Sequence, residues 1–210
     1  MKMKNMLIGG MSLALVACIS VGGTLAYLTA TDKELTNTFK FGGITIDVTE
    51  ISNSNNADNK ETVGTGKVAG GINYTNLVAG QEINKQVDVK INNNVDAKLY
   101  VLVDFGEGNN ALTLKENPTS STYGWEAVEI VDTNKKLYTR TVTADAEDKD
   151  FDLFDNVKVP DVNVEDGATV ALNDIKITAY AVQADNIADS TSANQLAAEE
   201  LGVTLKTEQG

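Results

Sequence analysis

An acidic cluster between residues 145 and 155 has the residue types and spacing that come closest to known site chemistry. Its members are Asp145, Glu147, Asp148, Asp150, Asp152 and Asp155. Asp148, Asp150 and Asp152 alternate with other residues, as in the first half of an EF-hand loop, where side-chain oxygens bind calcium. Leu153 stands where that loop needs glycine, and Val159 where it needs its bidentate glutamate. We therefore predict a solvated acidic loop, with these three aspartates as the only metal candidates, for calcium.

Histidine is absent from the whole chain. This excludes a Ser-His-Asp triad, a Cys-His pair and an HExxH zinc site, since each needs an imidazole. Any bound metal would have to take oxygen ligands, as calcium does. We therefore predict no catalytic residues, no cofactor and no enzymatic activity.

The first 26 residues have the plan of a secretory signal peptide. Lys2 and Lys4 precede an apolar run from residue 6 to residue 21, and small residues follow the run. Glycines and serines interrupt the run, which makes it a poor permanent membrane span of about 20 apolar residues. Thr24 and Ala26 are the small residues that flank the predicted cleavage point, and Tyr27 becomes the new N-terminus. The protein is therefore expected to act outside the cytoplasm.

Cys18 allows a second interpretation of the same region. The sequence Leu15-Val16-Ala17-Cys18 matches a bacterial lipobox, in which the cysteine is lipidated. Residues 19–28 stay apolar or small, however, whereas a lipid anchor is usually followed by a polar segment. An ordinary cysteine inside a cleaved signal is favoured, and lipidation stays open.

The composition of the remaining chain limits its partners. The full chain carries a net charge of −13, and removal of Lys2 and Lys4 leaves −15 on the mature part. This charge argues against nucleic acid or an anionic membrane surface as a partner. The single cysteine lies in the signal, so no disulfide framework can form. The mature chain suits one domain with a real hydrophobic core.

Period-two alternation of apolar residues predicts an all-β fold. About eight strands are expected, among them 44–48, 87–91, 125–131, 137–142, 157–159 and 170–182. Residues 99–105 are apolar at nearly every position, as in a central strand covered on both faces. Gly42-Gly43 is interpreted as a β-bulge, and residues 52–71 as a mobile loop. The predicted architecture is an antiparallel, jelly-roll-like β-sandwich over residues 42–210.

One short helix is predicted near the C-terminal end, at about 193–201. Ser192 begins a Ser-x-x-Gln capping box, and Gly202 stands where a helix would stop. Ala193, Leu196, Ala197 and Leu201 would share the buried face of this helix.

Residues 27–41 form an arm that signal cleavage would release. Tyr27, Leu28, Leu35, Phe39 and Phe41 are spaced among threonine, asparagine and alanine, a composition that favours extended strand. Such an arm can complete the exposed sheet edge of another molecule by β-augmentation. The alternative is an arm that folds back onto its own sheet or has no partner.

Several of these segments resemble the TasA/camelysin family of secreted Gram-positive biofilm-matrix proteins. The similarity is carried by Gly23-Thr24-Leu25-Ala26-Tyr27, by Asn37-Thr38-Phe39 ahead of strand 44–48, by Leu77-Val78-Ala79-Gly80-Gln81-Glu82-Ile83, and by residues 175–185. The resemblance covers most of residues 20–187, and its signal region is the most specific part. It implies cleavage by a dedicated signal peptidase, either after Ala26 or after Tyr27.

The resemblance also implies a function. Family members build extracellular fibres in which each N-terminal strand fills the neighbouring subunit, a head-to-tail contact that propagates without closing. The chain is thus expected to polymerise with itself and with related matrix proteins. Two alternatives stay open: a monomeric surface adhesin or binding module, and a camelysin-like metalloprotease, for which the chain lacks the usual histidine ligands.

Overall fold

Ten β-strands and one helix make up the part of the chain that the computed structural model describes. That part comprises residues 40–41, 43–55, 57, 67–68, 71–72, 74, 76–108, 111–161, 172–184 and 190–206. The strands are β1 (Lys40–Phe41), β2 (Ile44–Ile51), β3 (Lys67–Val68), β4 (Glu82–Asn92), β5 (Ala97–Asp104), β6 (Thr113–Leu114), β7 (Glu126–Val128), β8 (Lys135–Val142), β9 (Asp150–Lys158) and β10 (Lys176–Gln183). The helix α1 spans Ser190–Glu200.

The strands form two antiparallel sheets. The first has the order β1-β2-β4-β9-β6, with β3 also paired to β2, and the second has the order β10-β5-β8-β7. The chain passes from the first sheet to the second three times, between β4 and β5, between β6 and β7, and between β9 and β10. The first and the last of these crossings start from paired strands and end on paired strands, because β4 pairs with β9 and β5 with β10. The predicted antiparallel β-sandwich with one short helix is confirmed.

The main core lies between the two sheets, where alternate residues of each strand meet. On β2 the buried row includes Ile46 and Val48, and on β4 it includes Val89 and Ile91. Leu99, Val101 and Val103 of β5 approach this row from the second sheet. Burial of each such side chain stabilises the fold by about 1.5–3 kcal/mol.

Strand β5 is covered on its other face as well. Tyr100 and Leu102 point away from the first sheet and pack with Leu137, Val182, Ala193 and Ala197 in a second cluster. The Tyr100 hydroxyl donates a hydrogen bond to Asn194 Oδ1 of α1 at 2.8 Å. The helix therefore explains the continuous apolar run at 99–105, and the prediction of a doubly covered central strand is confirmed.

The helix differs from its prediction at the start and agrees at the end. It begins at Ser190, so Ser192 lies inside the first turn and the predicted capping position was wrong. Leu196 is 47 % exposed and does not belong to the buried face. Gly202 ends the helix at a φ of 65°, and the Val203 amide donates to the Ala198 carbonyl, the pattern of a Schellman motif. No helix in the described ranges is long and apolar enough to cross a membrane.

Two predicted loops contain strand instead. Asp150, Asp152 and Asp155 lie in β9, because Leu153 and Phe154 enter the core and the charged side chains take the accessible positions. Within the predicted loop 52–71, Lys67–Val68 pairs with the end of β2 as β3, and Ala57 bridges Tyr74.

Gly42-Gly43 is a hairpin turn, so its interpretation as a bulge was wrong. Phe41 pairs with Ile44 and Lys40 with Thr45, which leaves a two-residue connection between β1 and β2. Gly43 has a φ of 88°, and a Cβ at this position would lie 2.5 Å from Asn94 Oδ1. The turn therefore needs glycine at residue 43.

Substitution Gly43→Ala should lower the free energy of unfolding by about 1–2 kcal/mol, because an L-residue is strained at this φ. Denaturant titration measures the loss. Adding Asn94→Ala removes the steric contact but not the backbone strain, so the double variant should recover only part of it. Unchanged stability of the single variant would contradict this account of the turn.

Candidate assembly edge of the second sheet

Strand β10 is the longest terminal strand among the described residues. It lies at the end of the second sheet, and its eight residues pair with β5 without a register shift. Neither proline nor a bulge interrupts it, and Lys176, at its start, is its one charged residue. Natural sheets usually protect a terminal strand with such features, so β10 is a template for another strand.

The direction of the backbone groups of β10 follows from one hydrogen bond. The Ala184 amide donates to the Asp96 carbonyl at 2.7 Å, in register with the β10–β5 ladder. Hydrogen-bonded pairs alternate along an antiparallel ladder, so Tyr180 and Val182 bond to β5. Ile177, Ala179, Ala181 and Gln183 must then direct their N–H and C=O groups away from β5, and Ile177 already has an interaction partner.

Ala179 lies in the middle of this edge. Its side chain and that of Ala181 enter the core between the sheets. Ala179 has 0 % exposure, so the rest of the chain covers it from solvent. Buried backbone groups are almost always hydrogen-bonded, and those of Ala179 that face away from β5 need a strand or loop beside them.

Two other edges are partly covered by contacts within the described ranges. Next to β7, the Val131 amide donates to the Thr204 carbonyl and the Lys206 amide to the Glu129 carbonyl. Beside β9, Trp125 Nε1 donates to the Asp152 carbonyl at 2.8 Å. The two-residue strands β1 and β3 pair with only the two ends of the outer edge of β2. Strand β10 remains the longest terminal strand in the described ranges.

Only the last two residues of the predicted arm are described. Lys40 and Phe41 form β1 on the protein's own β2. Strands β2 and β10 contact each other across the sandwich. The predicted cleavage residues Thr24, Ala26 and Tyr27 lie outside the described residues, as do the arm residues Leu28, Leu35 and Phe39.

The three calcium candidates do not share one loop. Asp148 Oδ1 accepts the Asp150 amide, Asp150 lies opposite Lys90 on β4, and Asp152 lies opposite Asp88. In the ranges that the structure describes, no group of three or more carboxylate or thiol side chains converges in a way that could hold a metal ion. Strand geometry explains the spread, because β9 separates side chains that a calcium loop would bring together.

Asp152 and Asp88 form a like-charge pair on the outer face of the first sheet. Gln86 Nε2 donates to both, at 3.2 Å to Asp152 Oδ1 and 3.1 Å to Asp88 Oδ1. Burial raises the pKa of Asp152 above its ordinary value, and the neighbouring Asp88 carboxylate raises it further. The pair therefore costs stability whenever both groups are ionised.

A cleft of about 470 Å³ lies between β6 and the β5–β8 side of the sandwich. Its apolar wall includes Phe105, Leu112, Leu114 and Tyr138, and its polar rim includes Lys136. This surface is a second feature that could receive a ligand.

Comparison with known proteins assigns no function to this fold. No family model, curated protein or solved structure matches the chain. The case for a function therefore rests on the chain's own residues and geometry.

Sequence reasoning predicted an arm, but an acceptor edge was not part of that prediction; the sheet order places β10 at the end of the second sheet. The strand at 176–183 was recognised from its alternation, yet alternation is the same in an edge strand and in a half-covered central one. This strand lacks proline and has little charge, but such a composition is compatible with an edge strand and with a central strand. Pairing order decides between them, and the sequence of one strand does not contain that order.

Substitution Asp152→Asn should raise the free energy of unfolding near pH 7 by about 0.2–1 kcal/mol, because it removes a like charge directly opposite Asp88. A raised folded-state pKa means that stability falls as pH rises from the ordinary value of 3.8 through the folded pKa. The gain should therefore be complete above the folded pKa and fade as pH falls towards 3.8.

Denaturant titrations from pH 3.5 to 8, roughly the range over which carboxyl groups ionise, measure this profile. Asp150→Asn is the matched control, since Asp150 lies opposite Lys90 and its neutralisation should give no gain. Equal stabilisation by both variants would contradict the like-charge explanation.

Proposed function

We propose that this protein is a secreted structural subunit of extracellular biofilm-matrix or surface fibres. In this proposal, signal cleavage near Ala26 frees the arm at Tyr27, and the arm of one copy adds as a strand to β10 of the next. The fibre partners are further copies of the chain and related matrix proteins, and a dedicated signal peptidase is the processing partner. The role is structural, not enzymatic.

The observation that carries the proposal is the position of β10 at the end of the second sheet, where alternate residues such as Ala179 and Ala181 direct their amides and carbonyls away from β5. A strand that adds to β10 would bond to these groups. The arm has the length for this task. At roughly 3.3 Å per residue, residues 27–39 extend about 43 Å, whereas the eight residues of β10 need about 26 Å.

The geometry of such a contact favours a polymer. The donor arm and the acceptor edge are different surfaces of the same molecule, so each added copy leaves one free arm and one free edge. A heterologous contact of this kind propagates into a filament unless its rotation closes a ring. Export would have to precede assembly, because the arm becomes a free end only after cleavage.

The last part of the arm has two large apolar residues on the same strand face. In an extended conformation Leu35 and Phe39 point to one side, and Thr36 and Thr38 to the other. The strand-donation proposal therefore predicts that the Leu35 and Phe39 side chains enter the acceptor, while the threonines face solvent.

The cleft beside β6 supports the second candidate function, a monomeric binding module. Its apolar wall and open rim suit a ligand or a peptide segment. A module of this kind would need no arm, so the two candidates differ in what the arm does.

Deletion of residues 27–39 from the form that begins at Tyr27 should abolish filaments and leave a folded monomer. Negative-stain electron microscopy at high protein concentration detects the filaments, and circular dichroism confirms the fold. The physical reason is that the shortened chain keeps β10 but has no strand to donate.

Two matched variants separate strand donation from a general effect of the arm. Leu35→Asp with Phe39→Asp should abolish filaments, whereas Thr36→Asp with Thr38→Asp adds the same charge on the other face and should retain them. Filaments of normal morphology from the deletion variant would refute the proposal. Monodisperse particles from the complete form would favour the binding module.

A further inference from the structure

A charged pair lies inside the core of the sandwich. Glu50 continues the inward-facing row of β2 that contains Ile46 and Val48, and Lys85 lies between Ile83 and Val87 in the inward-facing row of β4. The two side chains are 1 % and 7 % exposed. Charged side chains are rarely buried to this extent, because the loss of hydration costs several kcal/mol per ion.

The contacts of this pair converge on the Glu50 carboxyl group. Lys85 Nζ contacts Glu50 Oε1, and the Tyr74 hydroxyl donates to the same oxygen at 2.9 Å. The Ile72 amide donates to Glu50 Oε2 at 3.2 Å. Four polar groups therefore meet in a site from which water is excluded.

As an ammonium ion, Lys85 has too few hydrogen-bond acceptors in the described ranges. An ammonium group carries three donors, and Glu50 is its one hydrogen-bond acceptor among the described residues. The Tyr74 ring lies 5.5 Å from Nζ and supports the cation only through its face. Burial lowers the pKa of Lys85, and the Glu50 carboxylate opposes that shift. Proton transfer within the pair gives a neutral amine beside a neutral carboxylic acid and removes both buried charges.

We propose that Lys85 and Glu50 condense into an intramolecular isopeptide bond that joins β4 to β2. The Nζ lone pair attacks the Glu50 side-chain carbonyl carbon, and a C–N bond forms. The C–OH bond of the protonated carboxyl then breaks, and its hydroxyl leaves with a proton from Nζ as water. The step needs no oxidant, reductant or cofactor, since an amine and an acid give an amide and water.

The surroundings of Glu50 supply what this reaction needs. Contact between Nζ and the carboxyl group replaces an encounter in solution. The Ile72 amide, which donates to Oε2, can stabilise that oxygen as it becomes negative in the tetrahedral intermediate. The Tyr74 hydroxyl donates to Oε1, the oxygen that then leaves as water. The dry core opposes hydrolysis of the product, which in water would be the favoured direction.

The bond would give a domain without cysteine a covalent cross-link. The mature chain has no thiol for a disulfide, and the link would tie together strands that are already paired in the first sheet. A fibre subunit outside the cell gains from a cross-link that survives local unfolding. This inference does not depend on fibre formation, and its test does not require assembly.

The test is the intact mass of the folded chain after denaturation, with its N-terminus determined on the same sample. The expected mass is lower than the sequence mass by one water molecule. Proteolysis followed by tandem mass spectrometry should then yield a branched peptide that joins the segment of Glu50 to the segment of Lys85. This measurement uses the unaltered chain, so it does not depend on whether a variant folds.

Two lysine variants complete the test. Lys85→Met should restore the full sequence mass, whereas Lys115→Met, which breaks the exposed pair with Glu82, should keep the deficit of one water. An intact mass equal to the sequence mass would overturn the proposal, as would a water loss that maps to any other pair of residues.

Discussion

The hydrogen-bonding requirement of backbone groups at a sheet edge is the constraint on which this structure depends. A sandwich of two open sheets has terminal strands whose N–H and C=O groups must bond to water, to side chains or to another strand. The domain meets this requirement in different ways. Residues 204–206 bond to the chain beside β7, and Trp125 bonds to the edge of β9. Among the strands at the ends of the two sheets in the described ranges, β10 is the longest and the most regularly paired.

The same core fixes the position of β10, the proposed acceptor strand. Strand β5 is the centre of the second sheet, with β10 and β8 as neighbours, the first sheet on one face and α1 on the other. This double cover fixes the register of β10 along all its residues. An incoming strand would therefore meet a preformed template and would not have to order it, which reduces the entropic cost of binding. The arm alone would have to become ordered.

Much of the fold could be predicted from the sequence because alternation and helix-stop signals are local. The apolar run at 99–105 indicated a doubly covered strand, and Gly202 indicated the helix end. Other features depended on neighbours that the sequence does not reveal. Asp150 and Asp152 were assigned to a loop because charge dominated their pattern, whereas the pairing with β4 makes them strand. Gly42-Gly43 was interpreted as a bulge, because a hairpin can be recognised only when the strands on both sides are known to pair.

The candidate sites also combine local sequence signals with features that depend on neighbouring strands. The arm was predicted from residue composition, whereas the position of β10 at the end of its sheet required the sheet order. Glu50 and Lys85 occupy inward positions of alternating rows, a signal that was present in the sequence and is visible once both rows are known to face the core. Neither charged residue would be assigned to the core from the sequence of its own strand, because a charged residue at the end of an apolar row usually marks the end of burial. Their contact comes from the β2–β4 register.

The most direct test of strand addition is hydrogen–deuterium exchange of the domain lacking residues 27–39, with and without a synthetic peptide of those residues. The account predicts that the peptide protects the amides of Ala179 and Ala181, while those of Tyr180 and Val182, already bonded to β5, change little. A peptide with Leu35→Asp and Phe39→Asp serves as the control and should give no protection. Protection at another edge, or none with the native peptide, would contradict the assignment of β10 as the acceptor.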